Sequence, residues 1–222
     1  MKRETPPTRA ERIRKASARR RTQRKEELRR AILDAAGRLF LEHGFERFSL
    51  RQVAEHIGYS ATTIYLHFKD KDALLFAVAL EGFSHFCEAL QKAYESAEEP
   101  WQRLEAVGRA YIRFGLGHPV HYRLMFMQRG EFMTRPKPDD HRPPIDSFGV
   151  LLRAVEEALE AGVMKPGDPT GYANTLWAGV HGIVALTITM PFCDEVQAAQ
   201  MADVFFPMTV RGLGHPRAGD AM

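Results

Sequence analysis

Side chains able to meet a nucleic acid gather between positions 49 and 63. Arg51 carries a forked cation that can bond a phosphate or a base edge, and Ser49 a hydroxyl that can cap a helix and also touch phosphate. Ser60, Ala61, Thr62 and Thr63 offer short hydroxyls and methyls, which suit either phosphate oxygens or the thymine methyl. This is recognition chemistry rather than bond-making chemistry. Nine histidines are scattered along the chain, yet none falls in a spacing such as His-Glu-x-x-His, and there is no phosphate loop or nucleophile elbow. No catalytic residue, metal site or cofactor is expected.

Such groups need elements to position them. Leu28, Ile32, Ala35, Ala36, Leu39 and Phe40 recur at the spacing of one helix face, and Gly44 ends that helix. A short helix over 50–57 follows, with Ser49 as its N-cap, Gln52 completing a capping-box pattern, and Leu50, Val53, Ala54 and Ile57 facing inward. Gly58-Tyr59 is the turn, and a third helix opens at Ser60 and runs to about His67. Two short helices about a glycine turn make a helix-turn-helix, whose second helix enters the major groove. On spacing alone a purely structural helical hairpin fits equally. A fourth helix starts at 69–72, suited by Asp70 or Asp72, and stops near Pro100. Helical periods continue over 101–117, 120–128, 145–161, 170–190 and 195–213. The proline-rich stretch 135–144 reads as a mobile loop or a lid.

The residues Gly44-Phe45, Ser49-Leu50-Arg51, Val53-Ala54, Ile57-Gly58-Tyr59-Ser60, Thr63-Ile64-Tyr65-Leu66-His67-Phe68 and Lys71-Asp72-Ala73-Leu74-Leu75 resemble the DNA-binding domain of TetR-family regulators. The closing Tyr-x-x-Phe-x-x-Lys-x-x-Leu signature is matched at each defined position. The resemblance implies a dimer on double-stranded operator DNA, most such proteins being repressors released by a small molecule. It also implies that Tyr65 and His67 touch phosphate. Lys71 would bond the DNA backbone together with the N-terminal amides of its helix. Read from the residues alone, Tyr65 is either such a contact or a core ring, and Thr62 and Thr63 either face the groove or simply face solvent. Ile64, Phe68 and Leu74 are assigned to the core.

Charge is unevenly placed. Positions 1–25 hold eleven basic residues against two acidic ones, a net of +9, so the overall +3 leaves −6 for the remainder. A basic end on an acidic body points to a polyanion. Residues 1–25 read as a mobile arm whose part over 9–25 could turn helical once neutralised. Arg19, Arg20, Arg21 and Arg24 are expected along the neighbouring minor groove or phosphates, the alternative being a solvated tail. Cys87 and Cys193 are either small buried hydrophobes or a redox pair. No apolar run suggests a bilayer span and no secretory signal is read at the N-terminus, so no membrane partner and a cytoplasmic location are expected.

In the second half, Trp177, His181 and Gly182 resemble the Trp-x-x-x-His-Gly pattern of one class of TetR-family C-terminal domain. Trp177 and His181, four apart, share a face, as do Gly179 and Gly182, where another helix could approach. Phe83, Phe86, Phe114, Met125, Phe126, Phe148, Trp177 and His181, with Met190 and Phe192, either line an effector pocket or form plain core. A small hydrophobic effector is expected if there is one. The last two helices would join a homodimer. The whole is expected to be all-α, about nine helices: an arm (1–25), a three-helix helix-turn-helix domain (26–72), a ligand-binding and dimerisation domain (73–215) and a disordered tail (216–222).

Overall fold

The computed structural model describes residues 8–127 and 146–214. Residues 1–7 of the expected arm, the loop over 135–144, the helix ends at Gln128 and Ile145, and the tail over 216–222 lie outside the described residues. The elements are α1 (Arg9–Arg47), α2 (Leu50–Ile57), α3 (Ala61–Tyr65), α4 (Lys71–Glu95), α5 (Pro100–Gly117), α6 (Pro119–Tyr122) running into a π-helical turn (Arg123–Met127), α7 (Ser147–Glu160), α8 (Pro169–Thr189) and α9 (Glu195–Leu213). Among the described residues there is no strand, so the fold is all-α.

Two units divide the chain, Met1–Val78 and Ala79–Met222, six residues later than the boundary expected after Asp72. The shift has a plain cause. The first turns of α4 place Leu74, Leu75 and Val78 in the core of the first unit, with Ile32, Ala35, Phe40, Val53, Ile64 and Phe68. Each of these side chains larger than alanine contributes about 1.5–3 kcal/mol on burial. Ile57, expected inward, is only half-buried.

The first helix departs from expectation at its start. It begins at Arg9 rather than near Glu26, so 9–25 is helical and not an irregular arm. Ala, Arg, Glu and Gln are good helix formers, and adding turns to a formed helix avoids the cost of nucleation. Local propensity therefore outweighs the charge repulsion that suggested disorder. At its other end Gly44 breaks the helix, with φ 70° and ψ 175°, a region open essentially to glycine.

In the second unit α5 is central, packed on α7, α8 and α9. Gly179 lets Phe205 of α9 lie against α8, whereas Gly182 has nothing within 4 Å of where a side chain would begin. Only one of the two glycines thus serves a close approach within the chain. Asp194 closes a capping box at the start of α9 with Gln197, and Asp168 caps α8. One helix, α4, is long and apolar enough to cross a membrane by length and composition, contrary to the expectation of none. Its Leu74, Leu75, Val78, Phe86 and Leu90 are instead buried in protein.

Candidate nucleic-acid interface and effector cavity

The helix-turn-helix is set by local hydrogen bonds. The Gln52 amide donates to Ser49 Oγ at 3.3 Å, and that hydroxyl donates to Gln52 Oε1 at 2.9 Å. Gln52 therefore meets the cap's hydroxyl rather than its backbone amide, which differs from the reciprocal box expected. Ser49 is half-buried and spends its hydroxyl on this cap, leaving it poorly placed as a phosphate ligand. Gly58 makes the turn at φ 71°, and its amide caps α2 on Ala54 and Glu55. Ser60 then caps α3, accepting from the Thr63 amide at 3.2 Å and bonding Thr63 Oγ1 at 2.9 Å.

Ile64 and Phe68 hold α3 to the core. Around them, Ser60, Thr62, Tyr65 and Leu66 are exposed, as is Arg51 on α2, while Ala61 and Thr63 are half-buried. Tyr65 is 52% exposed, so it is a surface ring. Leu66, the residue that caps the end of α3, was not singled out from sequence; it is 81% exposed, and an apolar side chain held in water there can meet a thymine methyl. Regular α-helix ends at Tyr65, two residues short of the expected His67, although the Phe68 amide still reaches the Ile64 carbonyl at 2.9 Å.

Lys71 is not free. Its ammonium donates to the Phe45 carbonyl at 3.2 Å and lies 4.2 Å from the centre of the Phe45 ring, so it ties α4 to the end of α1. One of its three N–H donors is thereby used within the chain. Lys25 and Arg29 of α1 lie close enough to His67, after the effect of its partial burial, to hold its imidazole below the ordinary range, and Arg29 also covers the Phe68 ring at 4.8 Å. His67 is accordingly neutral near pH 7, with one ring N–H to give. The i,i+4 spacing of Lys25 and Arg29 was the available signal for this pair. Arg19, Arg20, Arg21 and Arg24 are exposed along the preceding turns of α1.

The second unit contains a cavity of about 410 Å³. Phe83, Phe86, Phe126, Phe148 and Trp177 line it, as the sequence suggested, together with Tyr111. Phe114, Met125 and His181 do not. Phe114 and Met125 are turned into the core at 5% and 8% exposure. His181 stands outside the lining residues in a hydrogen-bonded chain: Trp177 Nε1 donates to Tyr111 Oη at 3.1 Å, Tyr111 Oη meets Tyr122 Oη at 2.9 Å, and Tyr122 Oη meets His181 Nδ1 at 2.6 Å. Burial raises both phenols, Tyr111 to about 12, and lowers His181. The phenols are thus protonated and the imidazole neutral. With Tyr122 donating to Nδ1 and Tyr111 to Tyr122, both phenols and the indole N–H each have an acceptor. Tyr111 and Tyr122 were missed because eleven residues separate them across a helix break.

The polar lining is sparse: Glu105, Ser147, Asn174 and Thr209 besides Tyr111. Glu105 is already bonded to Arg109 at 2.7 Å, and Arg109 reaches on to Asp203 at 2.9 Å. Cys87 and Cys193 are both free, and burial pushes the Cys87 thiol up, away from reactive thiolate. Among the described residues no cluster of His, Cys, Asp or Glu could hold a metal ion. Met190 and Phe192 are exposed and lie outside the cavity.

Comparison with known proteins agrees with this layout. A family model described as bacterial regulatory proteins, tetR family, matches residues 32–78, and one described as tetracyclin repressor-like, C-terminal domain, matches 104–213. The HTH-type transcriptional regulator Rv1816 of Mycobacterium tuberculosis is 24% identical over 198 residues, covering 74% of this chain and 82% of the relative. A solved protein of unknown function from Rhodococcus sp. RHA1 is 31% identical with a TM-score of 0.67, covering 85% of this chain and 96% of its own. A regulatory protein in the tetR family from Rhodococcus RHA1 shares the fold at a TM-score of 0.68 and 19% identity, covering 85% and 98%.

Proposed function

Because the chain belongs to the TetR family of DNA-binding transcriptional regulators, we propose that it is a homodimeric repressor which leaves a pseudo-palindromic operator when a small uncharged molecule fills its cavity. The observation that carries this reading is the α3 surface. A helix anchored by Ile64 and Phe68 turns Ser60, Thr62, Tyr65 and Leu66 to solvent beside the cations Lys25 and Arg29. With no Arg, Asn or Gln at the head of α3, phosphate contacts supply much of the affinity, and Arg51 and the hydroxyls the discrimination.

Two copies are required to occupy half-sites about 34–36 Å apart. Leu186 on α8 and Val196, Val204 and Met208 on α9 are exposed at 44%, 63%, 66% and 59%. Together with the open Gly182 they supply the apolar faces of an intermolecular four-helix bundle. The cavity supports an effector that is apolar and uncharged. An anion would find no unpaired cation among the described lining residues, and burying an unpaired charge is prohibitive. Release follows if the ligand favours one arrangement of the dimer over the other. Helix α4, which gives Leu74 and Leu75 to the first unit and Phe83 and Phe86 to the cavity, is the connecting element. Such a regulator works in the bacterial cytoplasm, where its DNA lies.

Native mass spectrometry paired with selection of bound duplexes from random DNA tests the reading. A dimer mass and a palindrome with half-sites one duplex turn apart are expected. A monomer that enriches no sequence would overturn the proposal, and a ligand that leaves operator affinity unchanged at saturation would remove its release step.

A further inference from the structure

We propose that residues 9–25 form a second DNA-binding element: a basic helix that lies on the phosphates of duplex flanking the site met by α3, lengthening the footprint without adding sequence preference. This rests on the operator reading above. Nine of these seventeen residues are Arg or Lys, against the single acid Glu11. Arg12, Arg14 and Lys15 through Lys25 are all exposed, and no ion pair among the described residues neutralises Arg19, Arg20, Arg21 or Arg24.

At about 100° per residue the cations spread around the whole helix rather than along one stripe. The described side chains therefore form no apolar face on which the helix could pack or enter a bilayer. The pattern also works against itself. Lys15 and Arg19, Arg20 and Arg24, and Arg21 and Lys25 are like charges four apart, each pair costing about 0.2–0.5 kcal/mol. Cations near a helix N-terminus also oppose its dipole. A polyanion relieves both penalties.

Position selects the polyanion. The turn that follows the extension places Lys25 beside His67 and Arg29 over Phe68, so the basic helix departs from the edge at which α3 ends. At 1.5 Å per residue, seventeen residues span about 25 Å, roughly seven base pairs at 3.4 Å each. A helix about 10–12 Å across does not enter a minor groove of about 6 Å, so of the two placements expected from sequence, minor groove or phosphates, the proposal takes the phosphate rails, with the wider major groove between them. Charge on every side suits a channel with phosphates on both walls.

The test compares the full chain with a variant carrying Arg19→Gln, Arg20→Gln, Arg21→Gln and Arg24→Gln, since glutamine keeps helix propensity. The probe is a duplex recovered by selection from random DNA, with flanks about twice the length the extension spans or with the flanks trimmed away. On the flanked duplex, the slope of log affinity against log salt should fall by about 0.9 for each phosphate that the variant no longer neutralises, up to roughly 7 for the eight arginines that two copies carry. The hydroxyl-radical footprint should shorten by roughly seven base pairs on each side. The order in which core sequences are preferred should not change, the trimmed duplex should show little difference, and the four-lysine counterpart should restore the slope. Equal slopes and footprints for wild type and variant would overturn the extension alone. So would a reordered preference among core sequences, or tighter wild-type binding to single-stranded RNA or anionic phosphatidylserine vesicles than to the flanks. A wild-type chain that binds no duplex would sink the operator reading, and this one with it.

Discussion

Replacing Tyr111 by phenylalanine should destabilise the second unit more than replacing Tyr122, although Tyr122 is the more deeply buried and makes the shorter bond. Tyr111 Oη is the acceptor for Trp177 Nε1 at 3.1 Å and meets Tyr122 Oη at 2.9 Å. Tyr111→Phe therefore removes two bonds, strips the indole of its acceptor and leaves Tyr122 only His181. The cost should approach about 1–3 kcal/mol, the range for stranding a partly buried donor. Tyr122→Phe also removes two bonds, but Tyr111 Oη already lies 3.2 Å from His181 Nδ1 and can donate there instead. That loss should stay near about 0.5–1.5 kcal/mol. The double variant should cost less than the sum, with a coupling of about 0.5–1.5 kcal/mol, because both singles break the same tyrosine pair. Urea unfolding followed by far-UV circular dichroism measures all three, with unchanged slopes as the check that midpoints report stability. Additive losses, or a Tyr122→Phe cost exceeding that of Tyr111→Phe by more than about 1 kcal/mol, would refute the directional chain.

Leu66→Ala should leave stability within about 0.5 kcal/mol while weakening operator binding, because the side chain is 81% exposed; an unfolding loss without a change in DNA affinity contradicts its assignment to the groove. Val204→Glu with Met208→Glu should halve the mass seen in sedimentation while helical content persists, and a surviving dimer would place the interface on another face. Burial, joined by Lys25 and Arg29 at His67, holds His67 and His181 below the ordinary imidazole value of 6.5, so the folded chain binds fewer protons than the unfolded chain around that pH. Their contribution is present above pH 6.5 and is lost as pH falls through the depressed folded values. Denaturant midpoints should decline on acidification, well before the window of Glu157, whose carboxyl is held below 4.5 by Tyr94 first and by Arg103; a rising midpoint would contradict the burial of both rings.

The helix-turn-helix was legible to within a residue or two because its signals are local. Ser49 and Ser60 accept from amides three positions on, and the Gly58 amide donates to carbonyls three and four positions back, so sequence spacing and structural role coincide. Where a role depends on a distant partner the sequence was silent. Lys71 has the family's place and charge, and its bond to the Phe45 carbonyl, 26 residues earlier, could not be read from that spacing. Among the expected pocket residues, Phe83 and Phe126 face the cavity while Phe114 and Met125 turn away, a distinction set by helix rotation rather than residue type. His181 sits behind the wall because Tyr122, on a different helix, holds its Nδ1. Over 9–25, two local signals pulled apart: composition favoured disorder, and helix propensity with an adjoining formed helix favoured order, which prevailed.

The π-helical turn at Arg123–Met127 gives the cavity a place where its shape can be retuned cheaply. Phe126 rides on that turn and touches the rings of Phe83, Phe86, Tyr111, Tyr122, Trp177 and His181. Removing one residue before it would rewind the turn as ordinary α-helix and swing Phe126 by about 100°. The chamber would open on that side while α4, α5 and α8 kept their places, so a change of chemical taste need not disturb the scaffold that carries it.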